Sequence, residues 1–125
     1  MKPARKNVAQ FEDLRIWQEA RQLANDIYRD MRDGEEAKDF GFRNQLQSAG
    51  ISVMNNIAEG FERSTDPDFA RFLDIAKGSS GEVRSMYSAA EDLAYLSSPI
   101  AQTRRATASG ISRGIASLIN HLRQT

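Results

Sequence analysis

The sequence has no cysteine, a single histidine and three prolines. Without cysteine there is no disulfide, no thiolate metal ligand and no thiol nucleophile. The lone His121 falls short of the two Glu-x-x-His motifs that a di-iron bundle requires. A serine triad would depend on that one ring near the C-terminus, and no nucleophile elbow is present. Pro3, Pro67 and Pro99 all stand outside the periodic segments, which favours helices over β-structure. No apolar run approaches the roughly 20 residues that span a bilayer. The basic start Met1-Lys2-Pro3-Ala4-Arg5-Lys6 leads into no apolar signal core. The expected protein is therefore cytoplasmic, with no membrane partner, no metal, no cofactor and no catalytic residue.

What is present is an ordinary globular composition, 40% hydrophobic and 27% charged over 125 residues, enough for one domain with a real core. Net charge is zero but unevenly spread. Residues 1–10 carry Lys2, Arg5 and Lys6 and no acid, and residues 97–125 carry Arg104, Arg105, Arg113 and Arg123 and again no acid. All 17 acids fall between them, against ten cations. Residues 1–10 read as a basic, flexible arm and residues 11–125 as one domain. The basic ends are either a solvated face neutralised by neighbouring acidic helices or a patch for a polyanion.

Four segments have helical periodicity. The first runs from Asp13 to Asp33, with Trp17, Ala20, Ala24, Ile27, Tyr28 and Met31 on one side and Gly34 as its stop. The second runs from Asp39 to Arg63, with an apolar stripe of Phe42, Leu46, Ala49, Val53 and Ile57. Beside it lies a polar row, Gln45, Ser52, Asn56, Glu59 and Arg63, within about 60° of arc, suited to a helix–helix interface if its members are hydrogen-bonded. Thr65 or Asp66 caps the third segment, Pro67 suits its first turn, and it extends to Leu96. Its apolar residues, from Phe69 and Phe72 through Val83, Tyr87, Leu93 and Ala94, trace an arc of about 160°, wider than a surface helix requires. Ser98-Pro99 repeats the cap-then-proline signal and opens the fourth, whose inner stripe is Ile100, Ile111, Ile115, Leu118, Ile119 and Leu122. The pattern predicts an all-α, antiparallel up-down four-helix bundle. The surplus apolar width, placed on the first three helices around Asn56-Ile57-Ala58-Glu59-Gly60, predicts a homo-oligomer.

Within that frame Ser52, Asn56 and Glu59 read as a polar cluster fixing helix register or subunit packing, ahead of a ligand or catalytic site. Gly60 is a helix end or a point of close backbone approach. Gly78-Ser79-Ser80-Gly81 lacks the lysine pattern of a phosphate loop, and reads as small residues admitting a neighbouring helix. Trp17 and Tyr28 could stack bases but lie on the apolar side, where core packing is the stronger reading. His121 reads as a surface residue.

The run Ser52-x-x-x-Asn56-Ile57-Ala58-Glu59-Gly60 resembles the bacterial four-helix-bundle family named after proteins encoded in intervening sequences of 23S ribosomal RNA genes. Phe11-Glu12-Asp13-Leu14-x-x-Trp17-Gln18 and Phe69-x-x-Phe72-Leu73-x-Ile75-Ala76-x-Gly78-Ser79-Ser80-x-Glu82 support the likeness, which covers residues 11–96. The resemblance implies a ring, typically a homopentamer, with no established enzymatic activity. The accessory variability proteins of diversity-generating retroelements look similar in fold and bind nucleic acid through a strongly basic surface. Here Gln47 and Ser48 stand where family members often carry arginines, which argues against that use.

Three function classes follow. The leading one is a non-enzymatic homo-oligomeric scaffold or adaptor. The alternative is an RNA- or DNA-binding module that uses Lys2, Arg5 and Lys6 with Arg105, Arg113 and Arg123. The third is a small-molecule enzyme with a subunit-interface site at Asn56, Glu59 and Arg63.

Overall fold

The computed structural model describes residues 8–124, and every regular element within them is helical. Lys2, Arg5 and Lys6 lie outside the described residues. A single 3-10 turn at Phe11–Asp13 precedes α1 (Arg15–Asp30), the one-turn α2 (Glu35–Lys38), α3 (Phe40–Phe61), α4 (Asp66–Asp92) and α5 (Ser98–Arg123).

Local chemistry sets the boundaries. α1 ends at Asp30, three residues short of the expected end at Asp33, and Gly34 then takes a φ of 82° that an L side chain rarely adopts. That reversal starts α2, whose Glu35 and Glu36 lie at the positive end of the helix dipole. Asp39 caps α3 by accepting from the Phe42 amide at 3.2 Å, and Thr65 caps α4 by accepting from the Asp68 amide at 3.2 Å. The expected cap at Ser98 is displaced by one residue. Ser97 occupies that position without a side-chain bond, and the Ser98 hydroxyl instead donates to Glu91.

α4 ends in a Schellman turn, with the Tyr95 amide on the Ala90 carbonyl and the Ala94 amide on the Glu91 carbonyl. Ala94 sits there at a φ of 59°, a conformation that costs a non-glycine residue about 1–2 kcal/mol. Tyr95 holds the turn from outside. Its hydroxyl donates to Asp39 at 2.7 Å, and its ring meets Phe42 edge-on at 5.5 Å. One carboxylate thus caps α3 and anchors the end of α4.

α4 packs extensively on both α3 and α5, while α1 closes against α3 and, more sparsely, α5. Leu23, Ile27, Leu46, Val53, Ile57, Phe69, Leu73, Val83, Tyr87, Ile111 and Ile115 form the buried core. Each such aliphatic side chain contributes about 1.5–3 kcal/mol. The two flanking neighbours use most of the wide arc of α4, so that width needs no second subunit. On α4 itself Ile75 is exposed, and the other exposed large apolar side chains lie towards helix ends. Tyr28 (47% exposed), Phe40 (62%), Leu93 (53%) and Ile100 (39%) come from the end of α1, the start of α3, the end of α4 and the start of α5. The contacts of Asp30 with Tyr87 and Arg104, and of Asp39 with Tyr95, place these four termini at one end of the molecule. Gly60 belongs to the opposite end, where α3 turns into α4. Leu93 and Ile100, expected on inner stripes, face outward because they sit where their helices run past the core. Tyr28, between buried Ile27 and Met31, instead sits at the edge of the α1 stripe beside a recess against α3. His121 is exposed, as expected.

Candidate functional site

The polar row of α3 faces α4. Gln45 Nε2 donates to Glu82 at 3.3 Å, the Ser52 and Ser79 hydroxyls share a hydrogen bond of 2.7 Å, and Arg63 pairs with Asp68 at 3.4 Å. Asn56 braces the middle rung, its Nδ2 donating at 2.9 Å to both the carbonyl and the hydroxyl of Ser52. Glu59 stands apart. Its side chain is exposed and makes no hydrogen bond or ion pair among the described residues. Asn56, Glu59 and Arg63 thus have different surroundings, and the row ties two helices together at three heights.

Gly60 lies within the last turn of α3, at a point of close approach. A Cβ there would fall 2.8 Å from Phe72 Cβ, 2.9 Å from Phe69 Cδ1 and 3.2 Å from the Phe69 carbonyl oxygen. Phe72 is fixed in turn by the guanidinium groups of Arg63 and Arg71, 4.8 and 4.6 Å from its ring centroid. The glycines of the Gly78–Gly81 stretch behave oppositely, since nothing lies within 4 Å of either added Cβ. Helical register turns Gly78 and Gly81 outward and the serines between them inward. Ser79 reaches Ser52, and buried Ser80 donates to the Ala108 carbonyl of α5 at 2.8 Å. Trp17 is buried, with Phe11 edge-on at 5.2 Å and the Arg21 guanidinium 5.6 Å from its ring.

A second polar construction joins α1, α4 and α5. Arg104 donates to both oxygens of Asp30, from Nε at 2.7 Å and Nη2 at 3.0 Å, and the Tyr87 hydroxyl donates to Oδ2 at 2.7 Å. Asp26 lies 3.8 Å from the same guanidinium. Burial, and then the Asp30 carboxylate, push the Tyr87 hydroxyl well above its ordinary value of 10.0, and the bond to Asp30 raises Arg104 too. This cluster was missed by sequence reasoning. The signal was Arg104 itself, which falls seven and eleven residues before Ile111 and Ile115 on the inner stripe of α5, where a charge demands a partner.

A shallow recess of about 540 Å³ between α1 and α3 is lined by Tyr28, Asn44, Gln47, Ser48, Ile51 and Asn55, among others. Gln47 and Ser48 make it neutral, with amides around one half-exposed ring. Of the basic candidates, Arg105 pairs with Glu91 at 2.8 Å and Arg123 with Asp74 at 2.8 Å. Arg113 is exposed and has no carboxylate partner among the described residues. No described helix is long and apolar enough to cross a membrane.

The fold and these seams define an all-helical bundle protein whose helices are tied to one another by buried and half-buried polar bonds. The chain belongs to the 23S rRNA-intervening sequence protein family, whose model matches residues 12–117, so the resemblance read from the Ser52–Gly60 motif holds. No curated protein shows significant similarity to it.

Proposed function

We propose that this chain is a non-enzymatic subunit of a cytoplasmic homo-oligomeric scaffold. In this reading α1, α3, α4 and α5 form an antiparallel up-down four-helix bundle, and copies assemble into a ring, a pentamer by family likeness. Short connections between consecutive long helices, and the packing of α1 on α3, α3 on α4, and α4 on α5, support the bundle. The observation that carries the assembly is the exposure of Tyr28, Phe40, Leu93 and Ile100 at one end, where a subunit contact would remove them from water. The motif residues support a non-catalytic role because the Ser52 hydroxyl is engaged with Ser79 across the α3–α4 seam and Asn56 braces Ser52 from within α3. Size exclusion with light scattering at micromolar concentration tests the assembly. Five times the chain mass is expected, and a peak at the mass of one chain refutes it.

A further inference from the structure

The outer seam between α4 and α5 holds a groove of about 410 Å³, lined by Gly81, Arg84, Ser85, Ser88, Arg105 and Ser109. We propose that this groove binds a phosphate group, held between Arg84 on one wall and Arg105 on the other.

Arg84 differs from most arginines of the chain. Arg15, Arg29, Arg63, Arg71, Arg104, Arg105 and Arg123 each meet a carboxylate, whereas among the described residues Arg84 meets only the Ser109 hydroxyl, at 3.3 Å. A guanidinium bonded to a neutral hydroxyl keeps its full charge and most of its donors. Arg105 is held by Glu91 through Nη1 alone, and Glu91 also accepts from Ser98. The remaining guanidinium nitrogens of Arg105 are left to donate. Lys77, seven residues before Arg84, and Arg113, four after Ser109, continue the same two helices without a carboxylate partner among the described residues.

The groove also supplies hydroxyls and space. Ser85 and Ser88 are exposed and make no side-chain hydrogen bond among the described residues, and Ser109 already faces Arg84. Position 81 carries no side chain, and nothing lies within 4 Å of where one would begin. Donors on two facing walls reach different oxygens of a tetrahedral anion. A carboxylate offers two oxygens in one plane, where a phosphate offers three or more in a tetrahedral array. Phosphate chemistry therefore fits better than a carboxylate ligand. The same group is offered by free pyrophosphate or by the phosphodiester of a nucleotide strand. This inference does not depend on the subunit number, and loss of the oligomer would leave it standing.

The test uses the full chain at 50 mM salt, with pyrophosphate followed by calorimetry and a labelled twelve-nucleotide oligothymidylate followed by anisotropy. Binding of either probe is expected, and which one binds identifies the source of the phosphate. Arg84→Gln should weaken it about fivefold, the worth of one exposed charge contact. Gly81→Leu, which fills the groove while leaving its charge intact, should weaken it at least as much. Arg32→Gln, an exposed arginine outside the groove, should leave it unchanged. No binding of either probe overturns the proposal, as does binding that Arg84→Gln and Gly81→Leu leave at the parent level.

Discussion

Replacing Gly60 by alanine should destabilise the protein even though alanine is the better helix former. Within a helix the exchange gains about 1 kcal/mol from backbone entropy. Against that, the new methyl meets three α4 atoms at 2.8, 2.9 and 3.2 Å, one of them a backbone oxygen and another a Cβ. Neither the carbonyl nor the Cβ moves by a rotamer change, so α3 and α4 must separate locally. Forcing an extra methyl into such a contact costs about 1–3 kcal/mol. Gly78→Ala supplies the internal reference, because it has the same helical gain and open space around the methyl. The difference between the two variants isolates the steric cost, so Gly60→Ala should fall about 1–3 kcal/mol below Gly78→Ala. Urea unfolding followed by circular dichroism, at one protein concentration, measures it. If Gly60→Ala unfolds at or above the midpoint of Gly78→Ala, the close approach of the α3–α4 turn is not a constraint and the reading of this motif glycine fails.

Removing Arg104 should be costlier than removing the tyrosine hydroxyl beside it. Arg104→Ala leaves the largely buried Asp30 without its bidentate partner and should cost about 3 kcal/mol, whereas Tyr87→Phe gives up one bond to a charged acceptor, about 1.5 kcal/mol; equal chemical melts for Arg104→Ala and the parent would refute the strut. Alkaline pH provides a third expectation. Tyr87 has its folded value raised above 10.0 by burial and by Asp30, so its stabilising contribution is complete below pH 10.0 and is lost as pH climbs toward the folded value. Tyr95 is raised as well, first by its bond to Asp39. Tyrosinate absorbance should therefore rise at pH 10.0 by less than three ordinary tyrosines would give, and Tyr87→Phe should flatten the fall in stability above that pH.

Much of the architecture was legible because it rests on local signals. Thr65 before Pro67 marked the start of α4, the 3.6-residue recurrence of Leu46, Val53 and Ile57 marked the buried face of α3, and the Gln45–Arg63 row pointed to a polar seam that turned out to face α4. What escaped depends on partners distant in sequence. Whether Gly60 or Gly78 touches a neighbour is decided by crossing geometry, which no single helix encodes. The breadth of the apolar arc on α4 could not distinguish two helical neighbours within the chain from one neighbour outside it. Ends of helices misled for a related reason. Leu93 and Ile100 keep the phase of their stripes, but the core has run out beneath them. Glu59 kept the phase of its row yet is exposed, with no partner among the described residues.

The strut of Asp30, Tyr87 and Arg104 also bears on how quickly the molecule opens. Its bonds bridge 57 and 74 residues of chain, against 27 for the serine rung between α3 and α4. Contacts of that span are expected to form after the local helical pairs, because closing a longer loop costs more entropy. The bonds join α1 to α4 and α5, and α1 packs more sparsely on α5 than on α3, beside a groove of about 480 Å³ lined in part by Gly110 and Gly114. Interactions absent from the folding transition state act on the unfolding limb, so Arg104→Ala should steepen escape from the native state while barely slowing its formation. The residue would then set the lifetime of the closed bundle more than the speed at which it is built.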